Sequence, residues 1–218
     1  MPSSPAILDA LTEARAAGFL GPGPIEAHLG HAEGFATVAR RLVADRPSPR
    51  ILDLGSGGGV PGLVVAAAWP ESTLVLLEAN GRRAGFLRRI VGRLGLEDRV
   101  SVLEERAEAA GRDGRYRTMF DEILARSFGR PAVVAECGAP LLRVGGWLVI
   151  SEPPSPPDIS TTISSHEVRW PTDALGQFGL EPAGVFRDGA TYQVLHQVEI
   201  CPERFPRRTG VPAKKPLF

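Results

Sequence analysis

The period of the hydrophobic positions changes near residue 50. Before it, Ile7, Leu8, Leu11 and Ala14, then Ile25, Leu29, Ala32, Phe35, Val38 and Leu42, recur at three- and four-residue steps, the spacing of one buried helix face. This predicts two helices. Ser4 and Pro5 supply a cap and a first-turn proline for the first, and Gly18 with Gly21-Pro22-Gly23-Pro24 ends it. The second spans 25–43 and stops before Pro47-Ser48-Pro49. From Arg50 onward, short apolar runs alternate with helical segments. Strands are predicted over 50–54, 73–78, 100–103, 120–125 and 147–151, and helices over 61–69, 82–94 and 131–142. Such alternation implies parallel strands joined by crossovers, with helices on both faces of the sheet. A Ser/Thr/Pro-rich stretch from Pro153 to His166 predicts an exposed loop, and a last helix covers 172–178. The runs 183–187 and 192–200, separated by Asp188-Gly189, predict an antiparallel hairpin. The expected organisation is a helical extension over 1–46 packed on an α/β domain over 50–200, followed by an irregular, basic, Pro-rich tail over 201–218.

The most informative segment is Ile51-Leu52-Asp53-Leu54-Gly55-Ser56-Gly57-Gly58-Gly59-Val60-Pro61-Gly62. It leaves a predicted strand and opens a predicted helix, where glycines permit positive φ and close approach of a ligand to the backbone. Two ligand registers can be read. GxGxxG from Gly57 to Gly62 suggests a dinucleotide, but it starts late relative to the strand, and Pro61 removes an amide that a pyrophosphate would use. Asp53, Gly55, Gly57 and Gly59 form D-x-G-x-G-x-G, the first motif of the class I methyltransferases, and this register fits better. The P-loop pattern fails because Leu63 stands where Lys is required. S-adenosylmethionine needs no phosphate cradle. Glu78 closes the second strand, at the spacing where an acid accepts hydrogen bonds from a ribose diol. Asp53 either caps the turn or lies close to the ligand's ammonium group. The order of elements, five alternating units and then a hairpin, suits the Rossmann-like methyltransferase sheet, which is mostly parallel with one antiparallel strand.

Composition narrows the partners. Lys plus Arg equals Asp plus Glu at 25 each, which argues against a protein that coats nucleic acid yet allows one RNA loop held by a local basic patch. The longest apolar run, near 63–69, is far short of a membrane span. Neither a secretory leader nor a disulfide framework is indicated, so the expected setting is cytoplasmic and reducing. Cys137 and Cys201 have no CxxC partner, and His28 with His31 lacks a third ligand, so no metal is expected.

Several segments together resemble the RsmG (GidB-type) family of bacterial small-subunit rRNA guanine-N7 methyltransferases. They are LDLGSGGGVPG at 52–62, LLEANGRRAGFLRR at 76–89, RAE at 106–108, FDEILARSF at 120–128 and PLLRVGGWL at 140–148. The closing RFPRRTGVPAKKPLF at 204–218 resembles the family's tail. The resemblance implies a monomeric S-adenosylmethionine-dependent enzyme acting on 16S rRNA or the small ribosomal subunit. It implies cofactor contacts at Gly55, Val60, Ala107, Glu108 and Arg126, beside the motif residues Asp53, Gly57, Gly59 and Glu78. Arg106 and Arg126 become the candidates for positioning cofactor or RNA. One departure stands out: β-strand five runs into Ser151-Glu152-Pro153-Pro154, where many members carry Lys-Gly.

Guanine N7 has a free lone pair and can attack a sulfonium methyl group without losing a proton or forming a covalent enzyme intermediate. Alignment is then the main catalytic device, and no nucleophilic Cys or His is needed. RNA would be held by the tail cations Arg204, Arg207, Arg208, Lys214 and Lys215, while Arg82, Arg83, Arg88, Arg89 and Arg93 are expected to decorate a solvated helix. Two other readings stay open: a methyltransferase of the same fold with a small-molecule acceptor, which the zero net charge and the altered loop after Ser151 permit, and a non-catalytic nucleotide- or RNA-binding relative.

Overall fold

A computed structural model describes residues 5–153 and 167–218. Ser4 and the Ser/Thr/Pro-rich stretch up to His166 therefore lie outside the described residues. Seven strands form one sheet in the order β3-β2-β1-β4-β5-β7-β6. They are β1 (Arg50–Leu54), β2 (Thr73–Leu77), β3 (Val100–Leu103), β4 (Phe120–Ala125), β5 (Leu142–Ser151), β6 (Leu180–Arg187) and β7 (Thr191–Gln197). The first five are mutually parallel, and β7 lies antiparallel between β5 and β6. The reversal puts the carboxyl ends of β1 and β4 side by side at the centre, the place where sheets of this kind bind ligands.

Helices α1 (Pro5–Ala16), α2 (Ile25–Leu42), α3 (Gly62–Ala68) and α4 (Gly81–Arg93) cover one face. The helical period delivers Ile7, Ala10, Leu11 and Ala14 of α1, and Ala32, Phe35, Val38 and Ala39 of α2, into the same core as Ile51, Leu76 and Leu124 of the strands. On the other face, α5 (Ala107–Ala110), α6 (Pro131–Gly138) and α7 (Thr172–Gly176) bury Ala107, Val134, Cys137 and Leu175 against Leu52, Ile123 and Leu148. Asn80 caps α4 by accepting from the Arg82 and Arg83 backbone N–H groups at 3.1 and 3.2 Å, a bond whose loss costs about 1 kcal/mol. Arg82, Arg88, Arg89 and Arg93 of α4 are exposed, as the pattern suggests, and three of them form surface ion pairs. Arg89 and Arg93 both pair with Glu13 of α1, and Arg88 pairs with Glu104.

Several boundaries differ from the sequence expectation, among them β7, which ends at Gln197 rather than at residue 200, and α7, which ends at Gly176 rather than at 178. The predicted helix over 131–142 stops at Gly138, a 3₁₀ turn carries Ala139–Leu141, and β5 begins at Leu142 rather than at residue 147. Gly145 takes φ +81° and the pairing of β4 with β5 shifts register there, so an interrupted strand imitates a helix end followed by a short strand. The hairpin strand β6 begins at Leu180, three residues early, because a register shift between Pro182 and Gly184 breaks its alternation. The tail, expected to be irregular, holds a short helix α8 (Val211–Lys214) and is fastened to the domain. Arg207 donates twice to the buried Glu136 carboxylate, at 2.8 and 2.6 Å, and Arg117 donates to the carbonyls of Cys201 and Phe205 at 2.7 and 2.8 Å. Arg207 is thus committed within the fold, whereas Arg204, Arg208, Lys214 and Lys215 are exposed.

Candidate active site

The loop after β1 turns back on β2. Both the Gly55 and Ser56 N–H groups donate to the Leu77 carbonyl at 2.9 Å. Gly55, Gly57 and Gly59 have φ of +75°, +54° and +92°, a region that L-side chains enter only at a cost. Packing adds to this at Gly55, where a Cβ would sit 2.6 Å from the Phe128 ring, and at Gly62, where it would meet Leu76 at 2.4 Å and the Asp53 carboxylate at 2.5 Å. The glycines therefore serve the loop's own geometry as well as any ligand. Val60 is buried in the core beneath the turn, and Phe19 and Leu20, between α1 and α2, close over Gly58.

Two carboxylates hold this loop. Glu78, just past β2, accepts from the Gly57 N–H at 2.8 Å and from the Asn80 N–H at 2.8 Å. Each carboxylate oxygen keeps one further lone pair for another donor. Asp53 is buried, and its Oδ2 accepts from the Gly62 N–H at 3.0 Å while Oδ1 has no partner. Burial pushes the Asp53 carboxyl up to about 7, against the Gly62 hydrogen bond, the nearby Ser56 hydroxyl, which donates to the Asp53 backbone carbonyl, and the Arg126 charge, which pull it down. Of the two readings of Asp53, the capping contact is present, and the second oxygen remains for a cation. The residues fit an adenosyl sulfonium cofactor: a ring of left-handed glycine backbone, an acid at the end of β2, and a buried carboxylate oxygen lacking a donor.

The second half of the site lies at the ends of β4 and β5. Arg126 follows β4 and is half-buried, and its guanidinium contacts His28 Nδ1 from α2. His28 Nε2 lies 3.2 Å from the Gly21 carbonyl, so a neutral ring with the proton on Nε2 satisfies both contacts. Burial first, then the Arg126 charge, lowers the His28 pKa. The same causes, in the same order, take His31 to about 4. His31 stacks near Phe35 at 5.7 Å, and the Tyr192 hydroxyl donates to its carbonyl at 2.7 Å. Ser127, next along, has φ +53°, a conformation uncommon outside glycine and frequent at functional sites. A cleft of about 320 Å³ opens here, lined by His31, Arg126, Ser127, Phe128, Glu152 and Trp170 among others. Phe128 joins the two halves, since it both lines this cleft and packs on Gly55.

The remaining candidates lie at the start of α5. Ala107 is buried at the start of α5, and the Glu108 side chain turns to the tail, where Oε1 accepts from the Gly210 N–H at 2.8 Å. Arg106 precedes α5 with an exposed side chain. The structure thus brings Asp53, the glycines, Glu78 and Arg126 together, while one Glu108 oxygen holds the tail. Sequence reasoning missed Glu152, Arg169 and Trp170 as a group. It noted the three-residue spacing of His28 and His31 without connecting it to Arg126. Both cysteines are buried, and burial raises the Cys201 thiol to about 12 and Cys137 further still, so neither supplies a thiolate at neutral pH. Among the described residues, no group of three or more His, Cys, Asp or Glu side chains could hold a metal ion, and no helix is long and apolar enough to cross a membrane.

Fold and loop together are those of the class I, Rossmann-like methyltransferases. Solved structures agree on the fold: a methyltransferase from Geobacter sulfurreducens superposes with TM-score 0.61 at 15% identity, covering 91% of this chain and 92% of that one. A SAM-dependent O-methyltransferase from Thermotoga maritima gives 0.54 at 15% identity, covering 75% and 64%. The sequence then specifies the family. Residues 35–152, more than half of the chain, match the GidB profile, described as rRNA small subunit methyltransferase G. Proteins named ribosomal RNA small subunit methyltransferase G are 36% identical in Rubrobacter xylanophilus and 34% identical in Syntrophomonas wolfei. The alignments cover 79% of this chain in both cases, and 66% and 79% of those proteins. The chain therefore spans just under two thirds of the first relative's length. It belongs to the small-subunit rRNA methyltransferase G family.

Proposed function

We propose that the chain transfers a methyl group from S-adenosylmethionine to N7 of a guanine in 16S rRNA. The observation that carries this reading is the junction of a D-x-G-x-G-x-G loop, in a member of this family, with a second polar cleft at the ends of β4 and β5. In this reading residues 50–200 form the catalytic domain, with 1–46 packed on it and 201–218 fastened behind α6. The protein works as a cytoplasmic monomer on the small ribosomal subunit.

The bound cofactor supplies an electrophilic methyl group on a sulfonium. Gly55, Gly57, Gly59 and Val60 let backbone approach it, Glu78 takes the ribose hydroxyls on its spare lone pairs, and Asp53 with Ala107 completes the enclosure. Arg126 balances the Asp53 charge and orients the donor's carboxylate. Guanine N7 would take the methyl group that the cofactor supplies through its free lone pair, and the methylated purine would carry the positive charge. No protein group gains or loses a proton. The enzyme's contribution is alignment, for which effective molarities can account for roughly 7–11 kcal/mol of barrier lowering. Arg106 and the exposed tail cations lie available for phosphates, whereas Glu108 acts by holding the tail.

The test is methyl transfer from labelled S-adenosylmethionine to small subunits from cells lacking the enzyme, followed by digestion to nucleosides. Labelled 7-methylguanosine is the expected product. Label in another nucleoside, or none with the cofactor bound, overturns the assignment.

A further inference from the structure

Glu152 is a buried carboxylate in the wall of the acceptor cleft. Its side chain is 3% exposed. Trp170 Nε1 donates to Oε1 at 2.7 Å, and Arg169 pairs with Oε2 at 2.6 Å. The Glu152 backbone is pinned as well, its N–H donating to the Thr191 carbonyl of β7 at 2.8 Å. Two side-chain contacts and one backbone bond fix the direction of the carboxylate, and burying such a group is costly unless it is fully paired. Fold stability alone does not call for this arrangement, because an apolar side chain of similar volume against Trp170 would be as stable or more so. Glu152 nevertheless lines the cleft that also contains Arg126 and Phe128, and Phe128 packs on Gly55 of the glycine loop.

The acceptor chemistry says what such a group can do. A guanine attacking through N7 presents N1–H and N2–H₂ on its opposite edge, two adjacent donors that match the two oxygens of a carboxylate. Each Glu152 oxygen carries one protein contact and keeps one lone pair. Adenine offers no donor at N1 and none at C2, so the same edge discriminates between purines. Methylation also makes the purine cationic, and a fixed negative charge on its far edge stabilises that change more in the transition state than in the ground state. The cleft volume of about 320 Å³ lies at the lower end of sites that take small organic groups, roughly 300–1,000 Å³.

We infer that Glu152 is the specificity-determining residue for the acceptor, binding the N1–H and N2–H₂ edge of the target guanine while Arg169 and Trp170 hold its carboxylate in place. The inference rests on the reading above that the acceptor is a guanine attacked at N7.

The experiment uses the full chain and an RNA spanning the position that the wild-type enzyme methylates, made with guanosine or inosine there. Inosine keeps N7 and N1–H and lacks only the N2 amine. Wild-type enzyme is expected to lose at least tenfold in kcat/KM on the inosine RNA. Glu152→Gln should fall on guanosine RNA and discriminate between the two by less than threefold, with S-adenosylmethionine affinity within twofold of wild type. Equal use of guanosine and inosine by the wild type overturns the inference even if the variant fails to fold. Full discrimination retained by Glu152→Gln overturns it too. A third outcome is distinct: if the wild type labels no RNA while binding cofactor, the guanine reading itself falls and takes this assignment with it.

Discussion

The two halves of the site are built by opposite means. At the ends of β1 and β2, side chains serve backbone: the Asp53 and Glu78 carboxylates accept from Gly62, Gly57 and Asn80 N–H groups, all within a few residues of the strand ends. At the ends of β4 and β5, side chains serve one another: Arg126 meets His28 across 98 positions, and Trp170 meets Glu152 across 18. A backbone-held loop changes shape with difficulty because glycine φ values and close packing define it. A side-chain-held cleft can change its selectivity by one substitution without disturbing the sheet. The difference suits a common donor and a variable acceptor.

The most severe way to break the first half is Gly62→Ala. The added Cβ would press on Leu76 and on the Asp53 carboxylate, and overpacking of this kind costs about 1–3 kcal/mol. Thermal melting should fall accordingly, and calorimetric affinity for S-adenosylmethionine should drop by about a hundredfold or more, since roughly 1.4 kcal/mol of lost binding is tenfold and the whole loop shifts. Arg126→Ala strikes the junction. It removes the charge facing Asp53 and the donor to His28, and should lower cofactor affinity by about tenfold, the size of one charge-assisted hydrogen bond. Arg126→Lys should recover only part, having no planar fork. An undiminished affinity in the Ala variant would separate Arg126 from the donor site.

The two halves should also respond to pH with opposite sign. The Asp53 pKa is raised to about 7 from an ordinary value of 3.8. The folded state therefore holds this proton more tightly than the unfolded state, and the contribution to stability declines as pH rises from about 4 through 7. His31 is lowered to about 4 from 6.5. There the unfolded state binds the proton more tightly, and stability rises with pH over the interval from 4 to 6.5. Urea unfolding of Asp53→Asn at several pH values should show a steeper gain across that interval than wild type, and His31→Gln a flatter one. Parallel profiles for both variants would mean that the contrast is wrong. The smallest effect belongs to Tyr192→Phe, which removes only the hydroxyl donated to the His31 carbonyl and should cost about 1 kcal/mol in denaturant melts, with cofactor affinity unchanged.

Much of the fold was legible because its signals are local. The parallel strands β1 to β4 fall within a residue of their predicted limits, since buried strands carry near-continuous apolar runs bounded by glycine and proline. Boundaries failed at β5 and β6, where a register shift interrupts the pattern without a local mark other than glycine and proline. The donor site was legible for the same reason: its motif residues lie at 53–62 and at Glu78, one strand apart. Glu108 also has a contact that no motif announces, its carboxylate accepting from the Gly210 N–H of the tail.

The alternating α/β order, the glycine loop with its acidic partners, and membership of a family could all be read before any coordinates, because each is written in contiguous residues whose spacing selects backbone geometry. It took the folded chain to show that His28 and His31 close on Arg126, that Arg207 is committed to Glu136 while the other tail cations are exposed, and that Arg169, Trp170 and Glu152 form one cluster. Those contacts depend on which chain segments the sheet order makes neighbours, and that order follows from burying both faces of the sheet at once rather than from any local pattern.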